Sequence, residues 1–255
     1  GNCGLSLAPA PEPQRGAIYG YLTPVTGLPA KSVPTGSVAD YLGALAGQPL
    51  PVHTGMLAGG GTIRAAAAGF APGPLSPEAL RSVHRLIEQS LSGGALGISL
   101  GLGYAPECFY TTEELIAALA PLRGSGVPVT VHMRQEGAGV VEALEEMMQV
   151  ARALRTPVHI SHLKSIGKAY WGRCMPQMLE ILTRARADGL DVSCDLYPYT
   201  AGSTQLIHVL PPEAQEGGLA ALSRNLREPA FRARMRRRME TGTDFENLSL
   251  LVGWE

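Results

Sequence analysis

The sequence predicts an α/β chain whose parallel sheet is rolled into a (β/α)8 TIM-barrel. Three observations predict it. Short β-rich runs alternate with helical patterns along the 255 residues. From the second run onward they recur about every thirty residues, the length of one βα unit. Histidine and carboxylate side chains close successive runs, and a barrel gathers its chemistry at the carboxyl ends of its strands.

Residues 9–36 hold six prolines and few periodic apolar residues, so they are expected as a long connection leading to a helix near Val38 to Ala46. The β-rich runs follow: Leu50 to Leu57, Ala95 to Leu100, Val127 to His132, Thr156 to His162 and Leu190 to Tyr197. Between them, helices are expected over Pro77 to Ser92, Thr112 to Arg123, Val140 to Leu154 and Met175 to Asp188. Thr111 offers an N-cap hydroxyl ahead of Glu113 and Glu114, and Gly124 and Gly189 stand where helices should stop. In Val140 to Leu154, apolar Val141, Leu144, Met148 and Ala151 make a core-facing stripe with Glu145 and Glu146 turned away, so the methionines read as packing. After Pro211 the chain changes character, and Phe231 to Glu240 carries five arginines on one helical segment, expected as a solvated face.

Strict βα repetition allows a closed barrel or an open, doubly wound sheet. The second would need GxGxxG directly between a strand and a helix, and neither Gly59-Gly60-Gly61 nor Gly101-Leu102-Gly103 supplies it, so the barrel is favoured. Composition agrees with a large aliphatic core: 45% apolar, 17% charged, 5% aromatic. A net charge of −1 argues against a nucleic-acid partner held by a general field. No apolar stretch is long enough for a membrane span, and four scattered cysteines, Cys3, Cys108, Cys174 and Cys194, without a CxxC pair point to a reducing, cytoplasmic setting. Both ends read as cut from a longer chain.

His132 closes one β-run, His162 the next, and Asp195 with Tyr197 the one after, while Cys3 stands just before Gly4. One histidine at a strand end is more often a hydrogen-bonding residue than a ligand; two at successive ends tip the balance. Two imidazoles and one thiolate suit zinc, which in catalytic sites keeps three protein ligands and one open position. The chemistry implied is metal-assisted hydrolysis. Cys108, Cys174 and Cys194 read as buried small residues, His53 and His84 as structural, and His159, three before His162, as pointing to the opposite face of its strand.

Asn2-Cys3-Gly4-Leu5-Ser6-Leu7-Ala8-Pro9, Gly94 to Ser99, Val131-His132-Met133-Arg134-Gln135-Glu136, Ile160-Ser161-His162-Leu163-Lys164 and Asp195 to Thr204 resemble, in order and spacing, the D-aminoacylases. These are the N-acyl-D-amino-acid deacylases of the amidohydrolase superfamily. The resemblance implies a barrel of the metal-dependent hydrolase type attached to a small β-sandwich, with zinc at the barrel mouth and hydrolysis of the amide between an acyl group and a D-amino acid. It implies Cys3, His132 and His162 as ligands of the tightly held zinc, with Cys3 where many amidohydrolases use a carboxylated lysine. Lys164 and Tyr197 would grip the substrate carboxylate, with Ser203 near it and Tyr104 in the pocket wall.

The family's first-strand His-x-His pair has no counterpart in these 255 residues, its eighth-strand proton-transferring aspartate is not matched by Asp195, and Met56 to Arg64 has glycines where a histidine is expected. On this reading strands two to seven are present. Residues 1–210 form the central part of the barrel, and 211–255 a helical insertion or barrel-associated segment cut at its end. No catalytic residue is assigned, and the chain alone is expected to be nearly inert while still holding one zinc. Its open sheet edges invite self-association. Two other readings stay open, a lyase using Lys164 as a Schiff-base former and a non-catalytic metal-binding barrel domain.

Overall fold

In a computed structural model, which describes residues 2–30 and 32–252, the βα alternation forms one parallel sheet. Its five strands follow sequence order: β1 Leu57–Gly59, β2 Gly97–Gly101, β3 Val129–His132, β4 Val158–Ile160 and β5 Val192–Cys194. Gly101 pairs with His132 at the end of the β2–β3 register. Every residue of β2 is buried, as expected for a parallel strand covered on both faces. β1 and β5 lie at the edges of the described sheet. Five of the six expected strands thus lie in the described sheet, and ahead of them an isolated antiparallel bridge joins Asn2 and Leu5 across a turn.

The helices are α1 Arg15–Thr26, α2 Val38–Ala46, α3 Gly60–Ala68, α4 Pro77–Ser92, α5 Thr112–Ala118, α6 Val140–Leu154, α7 Cys174–Ala187, α8 Gly218–Asn225, α9 Pro229–Thr241 and α10 Leu248–Val252. Their ends follow local chemistry. Ser76 caps α4 by accepting from Ala79 N at 3.1 Å, ahead of Pro77 in the first turn. Thr111 and Glu114 form a reciprocal capping box on α5. Gly189, at φ 84°, follows the last turn of α7 in a conformation glycine adopts without a steric penalty.

Three expectations are corrected. Residues 9–36 are not one connection, because α1 forms within them. Its buried Ile18, Tyr21 and Leu22 pack on Phe70 and Ala65 in a small core of their own, while Pro9, Pro11 and Pro13 precede the helix. The run from Leu50 becomes strand only at Leu57, since Pro51 lacks an N–H and residues 50–55 lie exposed. Glu146 does not turn outward on α6; it is buried beneath Arg134. The methionines of that helix are fully buried in the main core, as packing requires. On α9, Phe231 and Met235 face a third small core with Ala214 and Leu222; Arg232, Arg234, Arg236 and Arg237 are exposed, whereas Arg238 is half-buried and paired with Glu213 and Asp244. No described helix is long and apolar enough to cross a membrane.

Candidate metal centre

Cys3 is set by a cradle of glycines. The Gly4 N–H donates to Ser99 Oγ on β2 at 2.9 Å, and the Gly4 carbonyl accepts from Thr62 N at 3.2 Å. Ser6 and Thr62 exchange two hydrogen bonds of 2.8 and 3.0 Å, which lock this loop onto the start of α3. A β-carbon at Gly59 would collide with Gly4, one at Gly60 with Glu107, and one at Gly101 with the Cys3 carbonyl. Of the glycines that fail as a dinucleotide loop, Gly101 therefore admits the Cys3 backbone, Gly59 that of Gly4, and Gly60 the Glu107 carboxyl. Gly103 does the same for His132, whose ring would lie 3.0 Å from a β-carbon there.

Cys3 and His162 both adopt left-handed backbone conformations, at φ 49° and 42°. Such residues cost roughly 1–3 kcal/mol each and persist only where neighbours fix them. Asp195 fixes the second: its Oδ1 accepts from His162 N at 2.5 Å, while Oδ2 lies 2.9 Å from His159 Nε2. His132 ends β3, with its ring 4.3 Å from that of Tyr104 and its Nδ1 3.3 Å from the Tyr104 hydroxyl.

These constraints bring three ligand atoms together. Cys3 Sγ lies 3.4 Å from His162 Nε2, which lies 3.1 Å from His132 Nδ1, and one ligand atom from each of the three residues falls within 4.8 Å of the other two. Zinc bonds of about 2.0–2.3 Å at tetrahedral angles put donors about 3.3–3.6 Å apart, so two imidazole nitrogens and a thiol sulfur at these separations fit such an ion.

Glu136, four residues after His132 and 5% exposed, lies behind the cluster. Its Oε1 is 2.9 Å from His162 Nδ1 and 3.7 Å from His132 Nδ1, and its Oε2 is 2.6 Å from Lys164 Nζ. Burial pushes the Glu136 carboxyl up, but His162, His132 and Lys164 together hold it down at about 2. Burial lowers His132 to about 4 despite Glu136. His162 is also pulled down by burial, yet its hydrogen bonds to Cys3 and Glu136 prevail and lift it to about 9. Glu246 from the tail accepts from Glu136 N at 2.9 Å, and burial together with the Glu136 charge raises it to about 8.

Of the sequence-predicted site residues, Cys3, His132, His162, Lys164 and Tyr104 converge. Lys164 Nζ lies 5.7 Å from the centre of the Tyr197 ring, whereas Ser203 sits exposed in an irregular segment. His84 is structural as expected, 2.8 Å from the Ala117 carbonyl, and His53 is exposed. His159 is no ligand, but it is tied to His162 through Asp195.

No family model matches the chain. It is 38% identical over 206 residues to a D-aminoacylase of Alcaligenes xylosoxydans xylosoxydans, covering 81% of this chain and 41% of that protein. Against an N-acyl-D-glutamate deacylase of the same organism the identity is 34%, with the same coverage. A crystal structure of D-aminoacylase, described as defining a novel subset of amidohydrolases, superposes with TM-score 0.68 at 36% identity over 79% of this chain and 41% of that one. The N-acyl-D-glutamate deacylase of Bordetella bronchiseptica, complexed with zinc and a phosphonate mimic of the tetrahedral intermediate, gives TM-score 0.72 at 30% identity over 85% and 44%. The chain is a relative of the D-aminoacylases. It spans about two fifths of the length of the relatives it matches.

Sequence reasoning missed three groups in this D-aminoacylase relative. Glu136 was within a recognised motif, and its spacing of four from His132 was the available signal. Glu107, whose Oε2 accepts from Gly101 N at 2.8 Å, and His208, whose ring lies 4.2 Å from that of Tyr104, carried no signal, because single 3-10 turns too short for a periodic pattern deliver them.

Proposed function

We propose that this chain carries the metal-binding part of a zinc-dependent hydrolase that cleaves the amide bond of N-acyl-D-amino acids. The observation that carries this reading is the convergence of Cys3 Sγ, His132 Nδ1 and His162 Nε2. When bound, zinc supplies Lewis-acid polarisation of the scissile carbonyl and activation of a water. Cys3, His132 and His162 would hold it.

The chain's other residues orient the substrate. Lys164 spends donors on Glu136 Oε2 and, at 3.1 Å, on the His162 carbonyl, which leaves one ammonium proton for a substrate carboxylate. Tyr197, beside Lys164, borders that anion site, with Ser203 brought to it by movement of its exposed segment. Tyr104 walls the pocket next to His132 and excludes water from that side. No residue here matches by motif the family's proton-transferring aspartate, so the chain alone binds the ion and the substrate but hydrolyses slowly. An acid/base group contributes roughly 10²- to 10⁴-fold. The neighbours' small-molecule substrates, the near-neutral charge and the absence of a described spanning helix support a non-membrane protein without a nucleic-acid partner. The edge strand β5, whose Ser193 and Cys194 are exposed, makes self-association at high concentration part of the same proposal.

The test is binding of N-acetyl-D-amino acids and their L enantiomers to the zinc-loaded chain, followed by ligand-observed NMR, with acetate release in parallel. Saturable binding of the D forms, lost in Lys164→Ala, is expected. Equal binding of both enantiomers, or none of either, contradicts the reading. Borohydride trapping of a carbonyl compound on Lys164 would favour the lyase reading instead.

A further inference from the structure

We infer that Glu136 is a positioning residue that decides which nitrogen of His162 is free to meet the metal; the inference rests on the metal-centre reading above. His162 turns Nε2 toward Cys3 Sγ and His132 Nδ1, and Nδ1 away from them. A ligating Nε2 must be bare, so the ring's remaining proton belongs on Nδ1 and needs an acceptor. Two groups lie 2.9 Å from Nδ1, Glu136 Oε1 and Lys164 Nζ. An ammonium has donors only. Glu136 is therefore the acceptor.

The two neighbours pull the ring in opposite directions. Without Glu136, the Lys164 ammonium would donate to Nδ1, the ring proton would move to Nε2, and that N–H would point at Cys3 and His132 and close the metal position. With Glu136 in place, Oε2 occupies the ammonium at 2.6 Å while Oε1 takes the Nδ1 proton. One buried carboxylate thus holds the ligand tautomer and keeps Lys164 from competing for it. A glutamine in its place has one oxygen and one amide donor, so it cannot accept from both the imidazole and the ammonium.

The test uses the full chain and zinc itself. Zinc affinity is measured by competition with a chromogenic chelator, and the ring protons of His162 are followed by ¹H–¹⁵N correlation in the zinc-loaded protein. The wild type is compared with Glu136→Ala, Glu136→Gln and the double variant Glu136→Ala/Lys164→Met. The wild type is expected to show a hydrogen-bonded Nδ1–H on His162. Both single variants are expected to weaken zinc on the order of 10- to 100-fold and to lose that signal, with the double variant regaining part of the loss. A merely structural role for Glu136 would leave the double variant no better than Glu136→Ala, and that result overturns the proposal. So does wild-type affinity in the single variants. If Glu136→Ala does not fold, Glu136→Gln, of the same size, carries the comparison. Absence of zinc from the wild type defeats the metal-centre reading and this inference with it, whereas zinc bound equally well with and without Glu136 defeats only the inference.

Discussion

Gly101 lies directly beneath the carbonyl of Cys3, so closely that a β-carbon on residue 101 would overlap it. Gly101 also pairs in register with His132, so one missing side chain admits the thiol's backbone beside the first imidazole. Gly101→Ala is expected to push Cys3 away from the histidines, lowering stability by about 1–3 kcal/mol through overpacking and weakening zinc binding. Gly16→Ala, on an open face of α1, is the control and is expected to stabilise by up to about 1 kcal/mol with zinc binding unchanged. Thermal unfolding and chelator competition read both effects. Unaltered zinc affinity in Gly101→Ala would show that the cradle does not position the thiol.

Glu107 sets a pH dependence. Its carboxyl is buried, and desolvation lifts it from 4.5 to about 8 against the N–H groups of Gly101 and Gly61. A carboxyl that holds its proton more tightly folded than unfolded contributes fully below about 4.5, and that contribution is lost as the pH rises through about 8. Urea unfolding is expected to show wild-type stability falling across that window, and Glu107→Gln to fall less. Glu246, raised in the same direction, accounts for part of the remaining slope. Parallel profiles for wild type and Glu107→Gln would remove Glu107 from this role.

Arg134 clamps the loop that follows His132. Its Nε and Nη2 donate to the two oxygens of Glu146 at 3.0 and 2.8 Å, its Nη1 donates to the Cys108 carbonyl at 3.0 Å, and Thr112 adds a 3.0 Å bond to the same carboxylate. Glu146→Ala strands a largely buried guanidinium and is expected to cost roughly 3 kcal/mol, the low end of the range for a broken buried pair, since Arg134 keeps some solvent contact. The double variant Arg134→Met/Glu146→Leu is expected to recover much of that loss. Denaturant midpoints measure both, and a double variant as unstable as the single one would count against the clamp.

Much of the fold was legible because its signals are local. The limits of α2, α4 and α6 follow from hydroxyl caps, a first-turn proline and apolar spacing, and the β3 and β4 runs end beside the histidines that close them. The ligand triad was legible because each member closes an element or carries a recognisable motif. Interactions made across the chain were not legible. Glu146 reads as a solvated helix residue until Arg134 lies on it, and α1 was hidden by the prolines around it. Gly59 and Gly101 read as failed turn motifs because the reason for each is another segment's backbone, and Gly60 because its reason is the distant Glu107 side chain. Glu136 stands one turn's distance from His132 in sequence, but its task is set by His162 and Lys164, which arrive from the next strand.

The central claim is that Cys3, His132 and His162 hold one zinc ion together. Metal analysis of the purified chain after zinc loading and gel filtration tests it most directly, with Cys3→Ser, His132→Ala and His162→Ala alongside. One zinc per wild-type chain, and loss of most of it in each folded variant, is the expected result. A metal-free wild type, or zinc retained in full by the three variants, would contradict the claim.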